Sequence, residues 1–438
     1  MGQRKRLSNA AAALLFIAAL VSVGSRCWLE QRPAENPHHP TRSAFCDFQD
    51  VVYYPARAAF AGINPYDPRP AEEGGQYFAR YPAGNSFPLY APAIFVASLP
   101  LAVLDLTAAE ILYWIFNVGL LAFYGYVLLR ICEQRVTTSS VMALATVLLV
   151  CRPGNANLYF GNVALPMALA TVGSWWLAER RPWISGLLLA VACIKPTFGG
   201  PLFVLLLLRG SYRAALTGFG IAVIANVAVV AALLPQLMDP NHLLEMLAAN
   251  QTVTELNEGV DPLVSASRVD FLMVIERLVG QHLQNVLRYA LTFALLIVAG
   301  LAVRRLKRSA NGDGSGTELN SLAIASLTIT LCIYHNIYDA LLIAPAALAA
   351  FVNLSKSQSD RRRGGEWLLL ALLLVPAVNY FTSAKFLTFV AETMPPLATS
   401  VQQPAVWTML CILNGACLMI AWIILLIRCF HASKAATV

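Results

Sequence analysis

The sequence predicts an all-α, polytopic transmembrane protein of about twelve passes with a large first outer loop, and three observations carry that expectation. Hydrophobic residues fill 58% of the 438 positions, charged residues only 13%, and the mean hydropathy is +0.62. A soluble globular domain is typically about 45–50% apolar and about 25% charged, so this chain has too little polar surface to cover a water-soluble core. Second, apolar runs follow one another almost end to end, and a spanning helix needs roughly 20 such residues. Third, the basic residues sit in short clusters between those runs, as in loops kept on the cytoplasmic side. The same clustering turns the formal charge of +7 away from nucleic acid and toward the lipid bilayer as partner.

Taken in order, residues 1–25 form the first transmembrane helix. Arg4, Lys5 and Arg6 precede its apolar run, as in a signal peptide. The residues that follow, Arg26, Cys27 and Trp28, make a poor small-residue cleavage site, so an uncleaved helix is expected. Residues 26–107 form the outer loop, with juxtamembrane helices and a proline-rich apolar stretch at 87–104. Pro88, Pro92 and Pro100 interrupt that stretch, and proline breaks a helix interior, so it is expected not to cross fully.

Residues 108–234 form a transmembrane core with spans near 108–130, 137–151, 160–178 and 213–234. The long apolar run between Arg181 and Arg209 is broken by Lys195-Pro196 into two short passes. A second outer segment, 235–285, carries Asp239, Glu245, Glu255, Glu258, Asp261 and Asp270. Residues 286–438 complete a C-terminal bundle, with spans near 286–303, 319–333, 340–354, 367–380 and 406–428, and a tail. The charge map places both termini in the cytoplasm and the protein in the cytoplasmic (inner) membrane. No internal repeat is evident, which counts against a transporter or lipid flippase built from two related halves.

The polar groups that stand out fall on the expected outer side. Asp47 and Asp50 lie three residues apart, just ahead of Tyr53 and Tyr54. Either carboxylate can serve as a general base for an acceptor hydroxyl, or cap the helix expected over 51–60. Lys195 lies inside an apolar run, where an ionisable residue marks a functional site, unless its ammonium snorkels to the interface. His335 and Tyr338 belong to the polar knot Tyr334-His335-Asn336-Ile337-Tyr338-Asp339 between two spans, suited to hydrogen-bonding a phosphate or sugar, or to satisfying helix ends. Asn162 closes the run Asn155-Ala156-Asn157-Leu158-Tyr159-Phe160-Gly161-Asn162, which either binds hydroxyl-rich ligands or caps a helix.

Nine cysteines include no CxxC pair. Cys27 and Cys46 flank the first outer segment and would pair if it faced an oxidising space. His38 and His39 are weak metal candidates, and no metal or cofactor is expected.

In this order, the acid-Phe and Tyr-Tyr elements, Gly62-Ile63-Asn64-Pro65-Tyr66-Asp67, the proline-rich stretch, Gly161-Asn162, Lys195-Pro196 and His335…Tyr338-Asp339 resemble a known pattern. It is that of the polyprenyl-phosphate-mannose-dependent mannosyltransferases, glycosyltransferase family 87, within the type C glycosyltransferases. The resemblance runs from about Asp47 to Pro345. It implies a type C glycosyltransferase-like fold and an inverting transfer of a hexose, usually mannose, from a polyprenyl-phosphate sugar donor. The acceptor would be a hydroxyl of a glycolipid or glycan on the outer face. It assigns the base to Asp47 or Asp50 and brings Lys195 and His335 to the donor phosphate. Tyr54, Asn162 and Tyr338 join the substrate-binding set. Members often carry Gly-Gln where this chain has Gly161-Asn162, so the amide is kept but shortened. A multi-pass transporter or flippase is the competing class, and a non-catalytic scaffold the third.

Overall fold

The computed structural model describes residues 2–29, 44–83, 90–255, 259–309, 314–356, 360–401 and 403–432. His38 and His39 lie outside them. Among the described residues there is no strand longer than a single antiparallel bridge, Arg268 to Asn336.

The helices are α1 (Gly2–Leu29), a π-helix (Phe48–Tyr53) running into α2 (Tyr54–Phe60), α3 (Gln76–Arg80), α4 (Ala93–Ala102), α5 (Leu106–Ile131), α6 (Thr138–Val150), α7 (Arg152–Phe160) and α8 (Ala164–Leu177). They continue with α9 (Pro182–Ala192), α10 (Pro196–Arg209), α11 (Tyr212–Leu233), α12 (Pro240–Glu255), α13 (Phe271–Val279), α14 (Asn285–Ser309) and α15 (Gly314–Cys332). A 3-10 helix (Ile337–Ile343) leads into α16 (Ala344–Lys356), followed by α17 (Asp360–Val378), α18 (Ala384–Thr393), α19 (Pro395–Val401) and α20 (Pro404–Ala432).

Every expected span coincides with a helix, so the chain is an all-α polytopic membrane protein. Among the described residues, six helices are individually long and apolar enough to cross a bilayer, and α6 with α7 would make a seventh if taken as one span bent by 75°. The shorter apolar helices α8, α9 and α10 measure roughly 16–21 Å at 1.5 Å per residue, against about 30 Å of hydrocarbon. Their sides are buried against each other and against α11. At the crossing of α9 and α11, a Cβ on Gly218 would come 2.6 Å from the Gly186 carbonyl oxygen. Bare backbone therefore lets these two helices meet, the usual means of close packing where lipid gives no hydrophobic drive.

The proline-rich stretch yields only α4, ten residues long. That is about 15 Å of helix, too short to cross. The Lys195-Pro196 break follows from local chemistry. A residue before proline is pushed to extended backbone, and Lys195 adopts φ −106° and ψ 100°. Proline then suits the first turn of the new helix, where its missing N–H costs nothing.

The first outer loop departs from the expected helix at 51–60. Its first turn and a half is π-helical, and Asp47 occupies the position before it without making a side-chain cap. The capping role is thus not taken up. No disulfide joins Cys27 and Cys46: the Cys27 Sγ lies 3.9 Å from the Leu158 carbonyl and the Cys46 Sγ 3.7 Å from Asp47 Oδ1.

Gly161 joins this loop to the core. It ends α7 in the left-handed region at φ 68°, and a Cβ there would sit 2.6 Å from Phe48 Cβ. Gly161→Ala should therefore lower stability by roughly 1–3 kcal/mol and push the π-helix off α7. A lower melting temperature in detergent checks this, and an unchanged one would refute the contact.

Candidate active site

The π-helix is fixed at both ends of its buried face. Phe48 stacks on Tyr113 of α5 at 4.6 Å, Gln49 Nε2 donates to Glu110 Oε1 at 2.8 Å, and the Tyr53 hydroxyl donates to the Leu104 carbonyl at 2.8 Å. Phe45, just ahead of it, is held at φ 60° with its N–H donating to the Tyr159 carbonyl at 2.8 Å. A non-glycine residue in that region is strained and is kept there by its surroundings. Asp47, just before the π-helix, and Asp50 within it both line one cavity of about 1100 Å³.

Four elements meet at that cavity: the π-helix, the Gly161 loop with Asn162, the α9–α10 break with Lys195, and the segment 333–338. Asp47 Oδ2 accepts a 2.7 Å hydrogen bond from Asn162 Nδ2. Burial pushes the Asp47 carboxyl above the ordinary aspartate range, while the Asn162 amide and the Lys195 charge pull the other way.

Lys195 does not snorkel. Its ammonium is buried, 2.5 Å from Asp339 Oδ1, with side-chain exposures of 6% and 0% for the two partners. Three rings surround it: Tyr338 at 5.1 Å, Phe198 at 5.3 Å and Tyr90 at 6.0 Å. Aromatic faces and the Asp339 carboxylate thus surround the Lys195 side-chain nitrogen.

His335 and Tyr54 do not line the cavity. His335 is fully buried behind Lys195, edge-on to Phe198 at 4.9 Å. Its Nδ1 lies 3.1 Å from Asp339 Oδ2, off hydrogen-bonding alignment, and neither ring nitrogen has a hydrogen-bond partner among the described residues. It therefore backs the ion pair instead of facing the cavity. Tyr54 sits in α2 against Tyr53 and Tyr81. Tyr338 does line the cavity, and its hydroxyl accepts from Asn336 Nδ2 at 3.1 Å.

Several lining residues lay outside the sequence-derived set. Arg268 is clamped on Asp270 through Nε (2.8 Å) and Nη2 (2.7 Å) and lies over the Tyr334 ring at 5.1 Å. Arg288, in the first turn of α14, pairs with Glu276 at 2.6 Å. Both are basic residues on the side expected to be poor in them, the one sequence signal that marks them out. Tyr66, from the Gly62–Asp67 turn, donates through its hydroxyl to the Tyr90 carbonyl at 2.5 Å. Away from these groups the wall is apolar, formed by Val227 and Val230 of α11, Met238, and Leu243, Met246 and Leu247 of α12. Among the described residues, no three His, Cys, Asp or Glu side chains gather as a metal site.

This arrangement can take a proton at Asp47, hold negative charge near Lys195, Arg268 and Arg288, and seat a long apolar group along α11 and α12. Residues 89–332 match the profile described as Glycosyltransferase family 87. Over 156 residues the chain is 26% identical to a Mycobacterium tuberculosis protein named alpha-(1->3)-arabinofuranosyltransferase, in strains CDC 1551 / Oshkosh and H37Rv alike. That stretch is 35% of this chain, and it covers 35% of the length of the curated relatives. No solved structure matches significantly.

The buried Lys195–Asp339 pair makes its own prediction. Removing one partner strands a buried charge, so Asp339→Asn or Lys195→Met alone should cost about 3–5 kcal/mol. The double variant should recover a large part of that loss. Thermal unfolding of all four proteins in one detergent measures the coupling, and additive losses would mean the pair carries no interaction.

Proposed function

The chain belongs to glycosyltransferase family 87, and from that premise we propose that it moves a hexose, in the first instance mannose, from a polyprenyl-phosphate donor to an acceptor hydroxyl. The acceptor is a glycolipid or glycan reached on the outer face of the cytoplasmic membrane. One observation carries the reading: Asp47, held by Asn162, shares a cavity with Lys195 and with the apolar wall of α11 and α12.

In this scheme Asp47 is the general base, with one oxygen held by Asn162, and Asp50 is the alternative. The acceptor oxygen attacks the anomeric carbon on the face opposite the phosphate. As the new carbon–oxygen bond forms, the hydroxyl proton passes to Asp47 and the bond to the phosphate oxygen breaks. A single displacement inverts the anomeric centre. Polyprenyl phosphate leaves with the electron pair, and fixed cations stabilise the charge it gains. Lys195 is the cation whose charge acts on Asp47, and Arg268 and Arg288 extend the positive lining. His335 acts on the donor through Asp339 and Lys195, and the polyprenyl chain lies along the apolar wall.

A pentofuranose is the second reading for the sugar, favoured by the name of the mycobacterial relatives. Purified protein incubated with labelled polyprenyl-phosphate mannose and, separately, polyprenyl-phosphate arabinofuranose decides between them. Transfer from the first alone is expected. Transfer from neither, with native membrane lipids supplied as acceptors, would count against a polyprenyl-phosphate donor.

Asp47→Asn should lower kcat by roughly 10²–10⁴-fold in a folded protein, and Asp50→Asn by much less. Equal rates in both variants would remove the base assignment. Lys195→Ala and His335→Ala should raise the donor KM, and unchanged donor kinetics in both would take them out of the site. The base must be ionised, and burial raises the Asp47 pKa. Activity should therefore fall with decreasing pH along a limb lying above the ordinary aspartate value of about 3.9, and that limb should vanish in Asp47→Asn.

A further inference from the structure

The side chain of Asn162 is committed at both ends to the protein itself. An asparagine offers one carbonyl oxygen and two N–H donors. Its Oδ1 accepts from the Ala164 backbone N–H at 2.9 Å, which decides which end of the amide is oxygen. Its Nδ2 donates to Asp47 Oδ2 at 2.7 Å. The main chain is equally committed. The Asn162 carbonyl accepts from the Tyr113 hydroxyl and from Asn157 Nδ2, each at 3.2 Å, and its N–H donates to the Asn157 carbonyl at 3.1 Å. Gly161, pressed on Phe48, ties this loop to the helix that carries Asp47.

We propose that Asn162 is a positioning residue for Asp47, holding Oδ2 so that Oδ1 is the oxygen presented to the acceptor hydroxyl. Among the described residues Oδ1 meets only the weak thiol donor of Cys46 at 3.7 Å, which an incoming hydroxyl can outcompete. A carboxylate free to rotate about its Cβ–Cγ bond would present either oxygen. The amide removes that freedom and favours the ionised form, since a donated hydrogen bond stabilises the charged carboxylate. The other charges acting on Asp47 are Lys195, which assists ionisation, and Asp339, which opposes it; Asp50, three residues on, also lines the cavity. The inference rests on Asp47 being the base.

Asn162→Asp tests this: it keeps an acceptor for the Ala164 N–H and puts a second carboxyl group in place of the donor toward Asp47, which releases Oδ2 and opposes ionisation of Asp47. With a polyprenyl-phosphate sugar that supports transfer, kcat should fall roughly 10- to 100-fold while donor and acceptor KM stay within about twofold. The acid limb should move to higher pH. Asn162→Gln keeps an amide and should recover part of the rate and of the pH profile, which also covers the case of a poorly folded Asn162→Asp. In an Asp47→Asn background, Asn162→Asp should slow transfer no further.

A raised KM at unchanged kcat would overturn the proposal and return Asn162 to the substrate contacts. An unmoved acid limb, or a full additional loss in the Asp47→Asn background, would also overturn it. Full activity of Asp47→Asn itself would instead bring down the base assignment, whatever Asn162 does.

Discussion

A lysine ammonium and an aspartate carboxylate, both withdrawn from water, hold the centre of this molecule. Lys195 and Asp339 are 144 residues apart and meet at 2.5 Å. Each sits where regular helix fails, one at the α9–α10 break and the other in a 3-10 turn. Desolvation makes such a pair costly to build and more costly to break from one side, so it fixes the distance between the two breaks. Its effects spread locally. Asp339 Oδ2 accepts from the Asn336 N–H at 3.1 Å, and Asn336 donates to the hydroxyls of Tyr334 at 2.7 Å and Tyr338 at 3.1 Å. Tyr338 then closes over the Lys195 ammonium. Two tyrosines of the cavity wall thus take their orientation from the ion pair.

The opposite wall is fixed by different means. A π-helix places one more residue in a turn than an α-helix would, and such bulges are frequent at functional sites. Here it follows a strained Phe45 and contains Gln49, whose contact with Glu110 is buried; Asp47 stands just before it and Asp50 within it. The two walls differ in character. One is held by a pair of full charges, the other by an amide, a glycine and stacked rings. Only the second offers Asp47, a carboxylate with no direct ionic partner among the described residues, which is the property a base requires.

The fold was largely legible because bilayer solvent imposes a coarse rule, long apolar runs between basic clusters, and each run became a helix. The break at Lys195-Pro196 was legible for an equally local reason, the steric effect of proline on the residue before it. What escaped was set by tertiary partners. The partner that holds Asp47, Asn162, lies 115 residues away. Lys195 looked like a residue that either snorkels or serves a phosphate, because its counter-ion lies in another motif. His335 was recognisable as unusual, yet nothing local says that its ring lies behind the ion pair. Arg268, among the acids of the second outer segment, and Arg288, at the start of the span after it, were overlooked, although basic residues on that side were themselves a departure from the charge rule.

These irregularities have a common cause. In hydrocarbon every backbone N–H and carbonyl must find a partner within the protein, so broken helix survives at membrane depth only when buried or when it lines a cavity. The π-helix, the Gly161–Asn162 turn, the Lys195-Pro196 break and the segment 333–338 are separate interruptions, far apart in sequence. All four contribute lining residues to the same cavity. Four unrelated defects in helix packing would be expected to scatter. Their convergence beside an apolar wall indicates that regular structure gives way here to bring polar side chains against a lipid-sized space. A transport path would instead string its ionisable groups across the full depth of the bundle. The chain gathers Asp47, Asp50, Lys195, Arg268 and Arg288 around one cavity.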